Sequence, residues 1–197
     1  MRRTIPPPPP AVSIWNAGFF YCFECASKNS IEGVKITLVE NLRLLIYNAP
    51  MTRSFVMLKP GVLNRRIAGE IISRLEKKGL KLVGIKMLCI SPELAAEHYS
   101  EHNGKPFYAE LVSYITSAPV VAMAWQGDDC VAIIRKLVGA TKPLDAAAGT
   151  IRGDYCLHTQ HNIIHASDNP DSAERELKLF FQDSELFDWN DNSSIYY

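Results

Sequence analysis

From Met51 onward, the apolar residues follow two alternating periods, one suited to strands and one to helices. Thr52–Leu58 is an apolar run that predicts a strand, and it ends at the turn Lys59-Pro60-Gly61. Ile67, Ala68, Ile71, Ile72 and Leu75 fall at helical spacing and predict a helix from about Asn64 to Lys78, stopped by Gly79. Leu80, Leu82, Ile85, Met87 and Cys89 predict a second strand over 80–90. Ser91-Pro92 opens a further helix, with Ser as N-cap and Pro at its first position. Lys105-Pro-Phe-Tyr108 opens another, running to about Thr116. Pro119–Trp125 is the clearest strand. Asp128–Gly139 predicts a short helix with acid at its start and glycine at its end, the polarity that the helix dipole favours. A long loop, Ala140–Gly149, runs into a turn-rich stretch and then a short strand, Asn162–Ala166. A last helix, Ser172–Phe181, takes Ser172 as N-cap with Glu174 in its first turn. From Thr52 the order is β-α-β-α-α-β-α-β-α, which by periodicity alone specifies an α+β domain.

The first fifty residues differ in character. Pro6–Pro10 favours an extended polyproline conformation with no core of its own, and a short apolar patch follows behind two arginines. No convincing small-residue cleavage site follows that patch, so export is not the expectation. Cys22-Phe-Glu-Cys25 has C-x-x-C spacing, but no second Cys/His pair follows nearby and chance spacing is the better explanation. Residues 1–50 are therefore set apart from a domain over 51–197. A translation start at Met51 is preferred to a genuine appendage.

Composition narrows the class only modestly. The chain has 197 residues, 47% hydrophobic and 21% charged, an ordinary globular balance. Lys+Arg equals Asp+Glu, so no overall field points to a nucleic acid or a membrane. No apolar run approaches the roughly eighteen residues of a membrane span. Five scattered cysteines do not make a disulfide framework, and a cytoplasmic location is expected.

Candidate chemistry centres on His165, one histidine in a short strand between Ile164 and Ala166. Most such histidines are packed core residues. A neutral imidazole held this way is also a competent nucleophile. Lys59 ends a strand, where its cation can bind phosphate as a point charge. Arg135, Thr141 and Arg152 bracket the long loop, and two arginines with a hydroxyl suit a polyphosphate. The chain has no G-x-x-x-x-G-K-[ST] run, which excludes a P-loop enzyme.

Asn162-Ile-Ile-His-Ala-Ser-Asp168, preceded by Thr150-Ile-Arg-Gly-Asp-Tyr155, resembles the active-site signature of nucleoside diphosphate kinases and its companion stretch, in the family's order and spacing. The likeness extends from about Arg53 to the C-terminus. It implies a ferredoxin-like four-stranded antiparallel sheet covered by helices. It also implies transfer of the γ-phosphate of a nucleoside triphosphate to a nucleoside diphosphate, by a ping-pong route through phosphohistidine at His165. Magnesium would arrive on the nucleotide, with no metal site on the protein.

By the same resemblance, Glu176 and Ser167 orient the imidazole and Tyr99 sits beside it. Phe107 stacks on the base, while Lys59, Arg135, Thr141 and Arg152 contact phosphates. Asn162 holds sugar or phosphate oxygens. Two departures stand out. Gly61 replaces the Asp of the family's Lys-Pro-Asp-Gly turn, which puts a local turn contact in doubt, and His161 stands where Arg is common. A homo-oligomer, hexamer or tetramer, is expected, in keeping with the aromatics Phe187, Trp189, Tyr196 and Tyr197 of the tail. Two other classes compete. A scaffold that has lost activity is disfavoured by the full set of catalytic residues. An RNA-binding ferredoxin-like module is disfavoured by the lack of an RNP-type aromatic run and by zero net charge.

Overall fold

A computed structural model describes residues 51–159 and 161–190. The expectations for residues 1–50, including Cys22 and Cys25, and for Tyr196 and Tyr197 lie outside the described residues. Strands β1 (Met51–Leu58), β2 (Lys81–Leu88), β3 (Val120–Asp128) and β4 (Ile164–Ala166) form one sheet in the order β2-β3-β1-β4. All three pairings are antiparallel, the arrangement of a ferredoxin-like sheet. The helices are α1 (Ala68–Lys77), α2 (Pro92–His98), α3 (Tyr108–Thr116), α4 (Cys130–Val138), α5 (Ile151–Tyr155) and α6 (Pro170–Phe180).

Both faces of the sheet are covered, which explains why β1 and β3 read as continuous apolar runs rather than alternating ones. On one face Val56, Leu58, Met123 and Trp125 pack with Ile71 and Leu75 of α1 and Ile134 and Val138 of α4. On the other, Phe55, Met57, Ala122 and Ala124 pack with Ala95 of α2, Ile115 of α3 and Leu177 and Phe180 of α6. Truncating Phe55 or Trp125, both without exposed area, to alanine costs on the order of 3–5 kcal/mol.

Several boundaries differ from the pattern's prediction. Helix α1 starts at Ala68, not Asn64, because residues 61–66 form tight turns with Gly61 at φ 92° and Arg66 at φ 56°. That positive φ suits glycine and accounts for Gly61 in place of an acidic residue: the turn is closed by the backbone, from the Arg65 amide to the Gly61 carbonyl at 2.9 Å. The N-cap of α6 is Asn169, whose side chain accepts from the Ser172 amide at 2.8 Å, with Pro170 at the first position. Glu174 therefore lies beyond the first turn and pairs with Lys178 at 2.5 Å. Helix α4 starts at Cys130 after Asp129, which is left-handed at φ 47°, so the acidic residues precede the helix rather than forming its first turn.

The turn-rich stretch after Thr150 contains a real helix, α5, missed because five residues are too few to show a period. Thr150 caps it, accepting from the Gly153 amide at 3.1 Å. Gly153 is obligatory, since a Cβ there would collide with the Ala147 carbonyl. The tail folds back on β2: the Phe187 amide donates to the Val83 carbonyl at 2.8 Å, and Trp189 Nε1 to that of Leu82 at 3.1 Å.

Candidate active site

The register of β1 on β4 sets Met57 opposite His165. Ile164 and Ala166 are buried with the α1/α4 layer, so the two-residue period of the strand turns His165 toward the α2/α6 layer. Strand β4 is an edge strand, which leaves His165 at the border of the core with its side chain 19% exposed. All the expected side chains except Ser167 line one cleft of about 470 Å³ beside it. Ser167 lies behind, fully buried.

His165 Nε2 is 2.8 Å from Glu176 Oε1, and Ser167 Oγ donates to Glu176 Oε2 at 2.6 Å. Ser167 Oγ also accepts from the Phe55 amide at 3.2 Å, which ties this chain to β1. Burial works against a charge on Glu176. The hydrogen bonds from His165 and Ser167 more than offset it and hold the carboxyl below its usual range. A carboxylate at 2.8 Å from Nε2 fixes the tautomer: Nε2 carries the proton and Nδ1 keeps the lone pair.

Lys59 extends β1 past its pairing with β4, and its amide donates to the Ile163 carbonyl at 2.9 Å. Its ammonium is buried beside Arg152, with no ion pair among the described residues. Burial first, and then the arginine, lowers its pKa to about 8. Arg152, also buried, is pinned by two carbonyls: Nη1 donates to Gly139 at 2.9 Å and Nη2 to Ile164 at 2.9 Å. Burial and the neighbouring Arg135 lower its pKa to about 10. Gly139 makes this possible, since at φ 83° its carbonyl faces Arg152 while a Cβ would run into Thr150. Arg135 pairs with the exposed Asp168 at 3.0 Å, a weak tether that leaves the guanidinium at the cleft.

Phe107 is 45% exposed at the rim, its ring 5.6 Å from that of His102. Thr141 is exposed on the loop between α4 and α5. Asn162 Nδ2 donates to the Thr159 carbonyl at 2.8 Å, and its buried Oδ1 has no partner among the described residues.

Tyr99 lines the same cleft, and the ring of His98 packs on that of His165 at 4.7 Å and nearly perpendicular, with the Tyr99 ring 4.4 Å from that of His98. His98 is buried, and neither ring nitrogen has a hydrogen-bond partner among the described residues. Burial first, and then the neighbouring His165, pushes its pKa down to about 3. Sequence pattern alone offered no signal for His98 beyond its place next to Tyr99.

The arrangement can hold a polyphosphate against a nucleophilic imidazole. Lys59, Arg135, Arg152 and Arg175 line the cleft, and of its carboxylates (Glu101, Glu110, Asp168 and Glu176) the one beside the imidazole, Glu176, is already engaged by His165 and Ser167.

The family model for nucleoside diphosphate kinase matches residues 52–186. A nucleoside diphosphate kinase of Methanothermobacter thermautotrophicus is 59% identical over 148 residues, covering 74% of this chain and 99% of the relative. One from Staphylococcus epidermidis is 57% identical over 141 residues, covering 72% and 95%. The solved structure of a halophilic nucleoside diphosphate kinase from Halobacterium salinarum in complex with CDP superposes with a TM-score of 0.73 at 53% identity, covering 74% of this chain and 97% of that one. With the fold, the cleft and these likenesses in agreement, the chain belongs to the nucleoside diphosphate kinase family.

Proposed function

We propose that this protein is a nucleoside diphosphate kinase that moves the γ-phosphate of a nucleoside triphosphate to a nucleoside diphosphate through a phosphohistidine at His165. The observation that carries this reading is the chain Ser167–Glu176–His165, which commits Nε2 and leaves the Nδ1 lone pair for attack. Nδ1 attacks Pγ, the bond from Pγ to the β-bridging oxygen breaks, and the diphosphate leaves. The imidazole becomes cationic as the N–P bond forms, and the Glu176 carboxylate beside Nε2 stabilises that charge. A second diphosphate then attacks the phosphoryl group with its terminal oxygen, and the N–P bond breaks. One site serves both halves.

The protein's contribution is positioning and charge neutralisation. Among the described residues Lys59 is a buried cation without an anion, and phosphate supplies one. Arg152 is held rigidly by its two carbonyls, and Arg135 exchanges its weak contact with Asp168 for phosphate. Thr141 adds a hydroxyl at the loop. The free acceptor Oδ1 of Asn162 suits a sugar hydroxyl rather than a phosphate oxygen, because two acceptors cannot share a hydrogen bond. Phe107 stacks on the base, and a π-face accepts any base. Magnesium comes with the nucleotide, held by phosphate oxygens, since Glu176, the carboxylate beside the imidazole, is engaged by His165 and Ser167.

The protein acts as a homo-oligomer. The tail covers β2 at Leu82 and Val83, but Ile85 and Met87 beyond it are 50% and 66% exposed on a sheet edge, the kind of surface that a second chain covers. No helix among the described residues is long and apolar enough to cross a membrane.

The deciding experiment incubates the protein, and His165→Ala, with γ-labelled ATP and no acceptor. Acid-labile, alkali-stable label on the wild type alone, chased off by GDP or CDP, is the expected result. A wild type that binds nucleotide but takes no label overturns the reading.

A further inference from the structure

We propose that His98, His165 and Glu176 form a binding site for a borderline-soft divalent cation of the zinc class, and that its occupation takes His165 out of phosphoryl transfer. The second clause rests on the function proposed above; the first rests on geometry alone.

One ring nitrogen from each histidine and one Glu176 oxygen lie within 4.8 Å of one another. Two imidazoles and a carboxylate are a donor set that zinc takes up in open three-ligand sites. His98 makes the cluster more than a chance grouping. Its imidazole is buried against Phe55, Tyr99 and Phe180, yet both of its nitrogens lack a hydrogen-bond partner among the described residues. An unpaired buried polar group of this kind is costly and calls for an explanation. Coordination supplies one.

Zinc-to-nitrogen bonds near 2.0–2.1 Å require donors about 3.3 Å apart, so the cluster must contract by roughly 1.5 Å at its widest. Rotation of His165 on its edge strand, open to the cleft, is the available adjustment. Lys59 and Arg152 face the same cleft and lower the affinity below that of an uncharged pocket. Magnesium is excluded by preference, since it is a hard cation that seeks near-octahedral oxygen and finds one carboxylate here. A cation bound through His165 Nδ1 takes the lone pair that attacks phosphorus. One bound through Nε2 expels the proton shared with Glu176 to solvent and breaks the contact that orients the ring.

The test titrates the chelator-treated full chain with Zn²⁺ by calorimetry, in the absence of nucleotide and with millimolar Mg²⁺ present. One site per chain is expected, weakened at least tenfold in both His98→Asn and Glu176→Gln, because loss of a direct ligand costs no less than the ten- to hundredfold seen when a supporting residue is removed. No binding, or an affinity unchanged in His98→Asn, overturns the site. A wild-type measurement guards against a variant that fails to fold. The Co²⁺-loaded protein should show paramagnetically shifted ring N–H resonances from two histidines; a sulfur-to-cobalt charge-transfer band, implicating cysteine ligands such as the exposed Cys89 or Cys22 and Cys25, overturns the assignment. Finally, Zn²⁺-saturated protein given γ-labelled ATP should stay unlabelled, and labelling at the metal-free rate overturns the inhibitory clause. If the metal-free protein takes no label either, the kinase reading fails while the binding result stands.

Discussion

His165 Nε2 and Glu176 Oε1 lie 2.8 Å apart, one on the edge strand β4 and the other on α6, eleven positions further along the chain. Glu176 is buried, and its second oxygen is occupied by Ser167, so the carboxylate has no freedom to turn away. The pair therefore sets the tautomer of the imidazole before any substrate arrives, which is preorganisation in its simplest form.

Replacing Glu176 by Gln keeps the shape and removes the charge that supports the cationic ring. Turnover should fall by roughly a hundredfold while nucleotide affinity changes little, an effect of the size attributed to a positioned acid–base partner. Steady-state kinetics beside equilibrium binding of a diphosphate would check this; unchanged turnover would remove Glu176 from the site.

Ser167→Ala leaves one oxygen of a buried carboxylate without its donor and the Phe55 amide without its side-chain acceptor. The expected loss of stability is about 1–3 kcal/mol. Urea unfolding with an unchanged m-value would measure it, and a loss under about 0.5 kcal/mol would mean that solvent or another group fills the gap.

Lys59 carries the clearest pH dependence. Its pKa, lowered by burial to about 8, means that the ammonium is charged below that pH and neutral above it. A bound phosphate favours the charged form and pulls the pKa back up, so nucleotide binding is accompanied by proton uptake around and above pH 8. Affinity for a nucleoside diphosphate should therefore weaken as pH rises through about 8, and that slope should disappear in Lys59→Met. A binding series from pH 7 to 9.5 on both proteins decides it.

Phe107→Ala removes the exposed ring at the rim of the cleft. Loss of a stacking platform costs about 1–3 kcal/mol per base. The expected outcome is weaker binding of adenine, guanine and cytosine nucleotides by similar factors. A loss confined to one base would mean that Phe107 takes part in base selection and not in general stacking.

Met87→Lys places a charge on the exposed stretch of β2. If that edge is a subunit contact, the sedimentation coefficient should drop at micromolar protein. An unchanged value would move the contact elsewhere, for instance to Leu144, which is 98% exposed on the loop between α4 and α5.

The sequence by itself determined the elements and most of the chemistry. Apolar period and end signals (caps, prolines and terminal charges) together placed all four strands and every α-helix except α5, and Asn162–Asp168 with Thr150–Tyr155 pointed to the family before any coordinates. These features were legible because they are local: periodicity, a turn glycine and a contiguous motif all lie within a dozen residues. Helix starts were less legible, because an N-cap depends on backbone angles that composition only biases, as Asn169 and the turns before Ala68 illustrate. Only the tertiary structure decided that Arg152 is held by the carbonyls of Gly139 and Ile164, that Asn162 offers an acceptor, and that the ring of His98 packs on that of His165. Each of these depends on where two distant segments are brought together by packing on opposite faces of one sheet, and a linear pattern carries no term for that.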